Sequence, residues 1–153
     1  MLGDGDPAPD FDLPRPLADG DQTYRLSAAA HEAPVVVAFF PGDESGTALL
    51  RDLWAVDWSR SIDRLSVLGV GVADLDTVES LATDLDLPFA LLADPNAFFA
   101  ERYDALVERP DGWRPRRALF VVDQSCRFRF AWRADDPSAD PPIDDVLAAL
   151  ASI

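Results

Sequence analysis

The feature that most constrains the fold is a continuous apolar run, residues 35–40, stopped by Pro41-Gly42 and followed at once by a helical pattern. Val35, Val36 and Val37 run into Ala38, Phe39 and Phe40 with no polar residue among them. An alternating pattern would mark a strand with one wet face; an unbroken run predicts a strand buried on both faces, as inside a parallel sheet. Proline lacks the amide that a ladder requires, so Pro41 ends the strand. Over residues 45–62, Leu49, Leu50, Leu53, Trp54 and Trp58 recur at helical spacing, and Asp43, Glu44 and Ser45 supply cap and first-turn signals. A doubly buried strand feeding an amphipathic helix is the first half of a β-α-β unit, which demands a second parallel strand.

The remainder of the chain supplies it. Residues 65–72 read as a second buried strand and residues 75–86 as a helix with Val78, Leu81, Ala82 and Leu85 on its apolar stripe. A short strand over 89–92 follows Pro88, and a short helix covers 95–103. Residues 117–122 form another apolar run. After the break Asp123-Gln124-Ser125-Cys126, residues 127–133 alternate Phe128, Phe130 and Trp132, so the two runs read as a β-hairpin whose turn lacks glycine. Residues 135–142 are a proline-rich loop, and 143–153 a last amphipathic helix. Residues 3–16 read as an extended arm, and 23–26 as a short strand. The order β-α-β-α-β-α-β-β-α predicts a single α/β domain over residues 1–153 with a mixed sheet. At 153 residues a chain buries roughly 70% of its unfolded surface, so no disulfide is needed.

Composition narrows the function classes. There are 28 acids against 13 bases, a net charge of -15, and every base is arginine. The acids are spread along the chain, which predicts a self-repelling surface of halophilic type rather than a binding tail. Without a basic stripe, nucleic acid is not an expected partner. No apolar run approaches the ~20 residues of a membrane span. The N-terminal residues lack the basic and apolar regions of a secretory signal, so a cytoplasmic location is expected. One cysteine, Cys126, excludes an internal disulfide and a Cys-x-x-Cys site, and one histidine, His31, excludes a histidine metal cluster. No cofactor or metal is expected.

Five segments stand in order along the chain: Pro7-Ala8-Pro9-Asp10-Phe11-Asp12-Leu13, the run from Pro34 to Pro41, Val67 to Asp74, Leu87-Pro88-Phe89-Ala90-Leu91-Leu92-Ala93-Asp94, and Arg117-Ala118-Leu119-Phe120-Val121-Val122-Asp123. Together they resemble the peroxiredoxins, the alkyl hydroperoxide reductase and thiol-specific antioxidant family. The nearest branch looks like the bacterioferritin-comigratory or one-cysteine-like peroxiredoxins. The resemblance implies a thioredoxin-like three-layer α/β/α fold.

It also locates a missing group. The family reads Phe-Pro-x-x-x-Thr-x-x-Cys where this chain reads Phe40-Pro41 through Ala48, so Ser45 stands at the threonine position and Ala48 at that of the peroxide-attacking cysteine. A thiolate at a helix N-terminus near an arginine is the family's nucleophile. By resemblance Pro41, Ser45, Ala48 and Arg117 form a remnant pocket with no nucleophile. The resemblance therefore implies a protein that has lost peroxidase activity and binds a protein or small-molecule ligand, with a homodimer expected. The alternative is an active thiol oxidoreductase or peroxidase using Cys126, alone or across a dimer; a third reading is a thiol-independent enzyme using an anion pocket near Arg117.

Structural readings stand beside these. Ser45 serves equally as a helix cap. Arg117 serves as an ion-pair partner, Cys126 as an incidental turn residue, and His31 as a surface or capping residue. Trp54 and Trp58 read as core or dimer packing. Asp74 and Asp94, at strand ends, read as solvated surface before metal ligands.

Overall fold

In the computed structural model, residues 2–16, 22–58 and 64–153 are described. An antiparallel pair, β1 (Asp12–Arg15) and β2 (Gln22–Arg25), leads into α1 (Leu26–Glu32), β3 (Val35–Pro41), α2 (Glu44–Trp54), β4 (Ser66–Val72), α3 (Leu75–Leu85), β5 (Ala90–Ala93) and α4 (Phe98–Arg102). A hairpin of β6 (Leu106–Arg109) and β7 (Gly112–Pro115) follows, then β8 (Ala118–Val122), β9 (Phe128–Arg133) and α5 (Ile143–Ala151).

The expected buried strand is the centre of the molecule. The five-stranded sheet has the order β5-β4-β3-β8-β9. β4 lies parallel to β3 and β5 parallel to β4, whereas β8 is antiparallel to β3, and β9 to β8. Side chains alternate across a strand. Val35, Val37 and Phe39 therefore face one core with α1, α4 and the N-terminal arm. Val36, Ala38 and Phe40 face the other with α2, α3 and α5. Both faces are covered, giving three layers, helices on either side of a mixed sheet.

The first core is built around Tyr103, whose ring lies 4.9 Å from Phe39, 5.2 Å from Phe120 and 5.6 Å from Phe128. Its hydroxyl donates to the Pro9 carbonyl at 2.5 Å, so burying the ring leaves no orphaned donor and ties down the arm. The arm is pinned again where the Ala8 amide donates to the Cys126 carbonyl and the Phe128 amide to the Asp6 carbonyl. In the second core α2 contributes Leu49, Leu50 and Leu53, all fully buried. Each such leucine contributes about 1.5–3 kcal/mol by leaving water.

Three departures from the sequence reading have physical reasons. The helix expected over 45–62 ends at Trp54, with Ala55 as its C-cap; residues 59–62 lie outside the described residues. Trp54 is correspondingly not a core residue but 53% exposed, whereas Trp58 packs partly against the second core. Leu26, expected to end a strand over 23–26, instead opens α1 together with residues 27–32, which carry no expected element; this two-turn helix buries only Leu26 and Ala30. The hairpin of β6 and β7 is likewise additional; its strands bury little, and the apolar pattern that marks a strand is weak there. Among the described residues, no helix is long and apolar enough to cross a membrane.

Candidate functional site

The β3–β8 register decides what meets at each end of the sheet. Phe39 pairs with Ala118 and Val35 with Val122. Pro41 and Arg117 therefore share one end, and the β8–β9 turn that contains Cys126 lies beyond the other.

At the Pro41 end the chain folds into a cleft of about 510 Å³. Its walls are the β3–α2 turn, the β6–β7 hairpin, Arg116 and Arg117 before β8, and the segment after β9. The turn has a specific cause. The Pro41 carbonyl approaches Gly46 so closely that a Cβ there would sit 1.9 Å from its oxygen. Only glycine permits that approach. The N-cap is Asp43 rather than Ser45: its side chain accepts from the Ser45 amide at 3.0 Å and the Gly46 amide at 3.3 Å. The Ser45 hydroxyl donates to the same carboxylate at 2.6 Å.

Arg117 forms the buried wall, 5% exposed. Its Nη2 donates to the Asp136 carbonyl at 3.2 Å and to the Ala139 carbonyl, holding the loop after β9 in place. Its guanidinium lies 5.7 Å from the Trp132 ring centre. Nε is buried with no partner, the one such side-chain atom among the described residues. The structure thus brings Pro41, Ser45 and Arg117 to one cleft. Ala48, in the second turn of α2, is exposed and outside the cleft lining. No ion pair joins Arg117 to a carboxylate among the described residues; neutral carbonyls hold it instead.

Cys126 is far from this. Pro41 is six residues along β3 from Val35, about 20 Å at strand rise, and Cys126 lies past Val35's partner Val122. Cys126 has φ +59 and packs partly against the first core. Burial pushes its thiol pKa up, and the carboxylates of Asp10 and Asp123 push in the same direction. A reactive cysteine needs the opposite surroundings. His31 is exposed in the last turn of α1, and its carbonyl accepts from Gln124 in the β8–β9 turn, so the chain's one imidazole is also at the wrong end. Asp74 caps α3 through the Thr77 amide, and the buried Asp94 accepts from the Phe99 and Ala100 amides of α4. Both carboxylates are engaged at helix starts.

The sequence reading missed Arg109, Arg114, Val107 and Pro115, the contribution of the β6–β7 hairpin to the cleft. A signal was present. Pro110-Asp111-Gly112 is a turn sequence with a mechanism, and Gly112 has φ +121, open to glycine alone at little cost.

A mixed sheet between helix layers, with a capped helix starting beside the central strand, defines a thioredoxin-like protein. The AhpC/TSA family profile matches residues 5–131, and the chain belongs to that family. Among solved structures it is similar to the peroxidoxin BcpB from Mycobacterium tuberculosis, with a TM-score of 0.82 and 23% identity, covering 100% of this chain and 99% of that one. A cysteine-to-serine mutant of PrxQ from Xylella fastidiosa matches with a TM-score of 0.79 and 18% identity over 99% of this chain and 97% of its own. The bacterioferritin comigratory protein of Xanthomonas campestris matches with a TM-score of 0.74 and 20% identity over 93% and 90%. No curated protein matches the chain.

Proposed function

We propose that this peroxiredoxin-family redox protein is a non-catalytic member: it does not reduce peroxides, and its remnant pocket around Pro41, Ser45 and Arg117 binds a ligand. One observation carries the reading. The cleft end of the sheet has no thiol, and the chain's one thiol is about 20 Å away, in surroundings that keep it protonated. Ser45 does not replace it, because its hydroxyl faces a carboxylate that already caps two backbone amides, with no imidazole near.

The test is peroxide consumption by purified protein supplied with a dithiol reductant, in dilute and in concentrated salt. The expected rate equals that of the reductant alone. Protein-dependent consumption overturns the proposal, and Cys126→Ser then separates the readings: loss of the activity assigns it to Cys126, retention to a thiol-independent site. The Cys126 reading draws on one fact, that the thiol is only partly buried and so within reach of a second copy of the chain.

The same reading includes a salt-rich cytoplasm as the working environment, for which the net charge of -15 is the support. It also includes a homodimer, in keeping with the family resemblance, and a protein or small-molecule ligand.

A further inference from the structure

We propose that the cleft recognises a carboxylate: it takes a small organic acid with an apolar body, whose anionic end is held by Arg109 and by Nη1 of Arg117. This rests on the binding reading above and names the ligand class.

Charge distribution is the first support. The chain carries 28 acids against 13 bases, yet four arginines, 109, 114, 116 and 117, line this one cleft against three aspartates. Two of those aspartates, still charged, are turned to donors of their own segments. Asp43 caps α2, and Asp136 accepts from the Ser138 amide at 2.8 Å and its hydroxyl at 2.6 Å. Asp135 stays exposed. Four of the thirteen arginines thus meet at one cleft of a chain whose surface field otherwise repels anions.

The arginines themselves divide into satisfied and unsatisfied. Arg114 pairs with Asp111. Arg116 donates to the Asp104 carbonyl at 2.8 and 3.1 Å and has that residue's carboxylate at 3.8 Å. Arg109 and Arg117 have no carboxylate in ion-pair range among the described residues. Arg109 is exposed on the hairpin; Arg117 is the buried wall. A guanidinium 5% exposed, hydrogen-bonded only to neutral carbonyls and with a sealed, unpaired Nε, is a desolvated charge whose nearby acid, Asp136, feels it but makes no ion pair with it. Nη2 is engaged with the Asp136 and Ala139 carbonyls, and Nε is closed to the cleft. Nη1 donates to no described residue and is not among the sealed atoms, so it is the donor left for a ligand. Charge-assisted hydrogen bonds from guanidinium to carboxylate are among the stronger recognition contacts.

The remaining lining selects what the carboxylate is attached to. Pro41, Val107, Pro115, Ala134 and Pro137 give the cleft an apolar surface, and about 510 Å³ lies within the range of small-molecule sites. A bare inorganic anion leaves that surface uncovered.

The experiment is calorimetric titration of the full chain with hexanoate, with its neutral analogue hexanamide and with inorganic phosphate, on wild type, Arg109→Gln and Arg117→Gln. Hexanoate is expected to bind wild type at least ten times more tightly than hexanamide or phosphate, and Arg109→Gln to weaken it about tenfold. Arg117→Gln is expected to abolish binding. Because it also removes the loop anchors, thermal unfolding is recorded alongside, and the exposed Arg109→Gln carries the test if that variant does not fold. No hexanoate binding to wild type, equal binding of hexanamide, or an unchanged affinity in Arg109→Gln overturns the carboxylate site. Phosphate binding as tightly as hexanoate overturns the apolar body. The peroxide assay fails separately: no hexanoate binding without peroxide turnover sinks this inference alone, whereas turnover sinks the non-catalytic reading whatever hexanoate does.

Discussion

Cys126 occupies a left-handed backbone conformation, φ +59, that favours glycine. For a residue with a Cβ that conformation costs on the order of 1 kcal/mol. Cys126→Gly is therefore expected to stabilise the fold by about 1 kcal/mol, less whatever its partly buried sulfur contributes. Urea unfolding checks it, and a loss of stability would show that the sulfur contact outweighs the backbone term. With its thiol pKa raised, first by burial and then by Asp10 and Asp123, Cys126 should alkylate more slowly than free cysteine at neutral pH. Gly46 is the opposite case. A Cβ at 1.9 Å from the Pro41 carbonyl has nowhere to go, because the obstacle is backbone. Gly46→Ala is expected to destabilise by about 3 kcal/mol and to open the Pro41 turn, read as a lowered unfolding midpoint. The sequence showed Ala48 at the nucleophile position but could not show that it lies exposed and outside the cleft lining.

At the scale of elements, the β8–β9 hairpin was legible and the β6–β7 hairpin was not. The first has a fully buried strand, Ala118–Val122, and a partner that alternates. The second is mostly exposed, so no hydrophobic period betrays it, only its Pro-Asp-Gly turn. The β8–β9 turn has no glycine and is held instead by Asp123, whose carboxylate accepts from the Ser125 amide at 2.9 Å, the Arg127 amide at 3.0 Å and Arg129 Nε at 2.7 Å. Burial raises the Asp123 pKa, but Arg129 and the two amides together outweigh it and the net shift is down. A carboxyl lowered in the folded state stabilises above its unfolded pKa, about 4, and the contribution is lost as pH falls through the lower, folded value. Asp123→Ala is thus expected to cost about 2 kcal/mol near neutrality, with the gap from wild type closing in acid. A gap that persists unchanged at the lowest pH at which both fold would assign the loss to packing.

For the whole molecule, the three-layer architecture was readable because β3 is apolar without interruption and the helices after it carry clean stripes. Helix α1 and the exact extent of α2 were not, since their ends depend on contacts made across the fold. The charge was readable too. With -15 on 153 residues, self-repulsion opposes the compact state, and at about 1 M salt a Debye length of about 3 Å screens it. Raising KCl from dilute to about 1 M is expected to raise the Tm by about 5–10 °C, equivalent to about 2–3 kcal/mol for a domain of this size. A Tm that does not move would remove the halophilic reading. The central claim is that a peroxiredoxin-family fold here persists without the family's chemistry. Peroxide consumption by the wild-type protein under a dithiol reductant tests it most directly: the account predicts the reductant's own background rate at every salt concentration, and turnover that scales with protein concentration would contradict it.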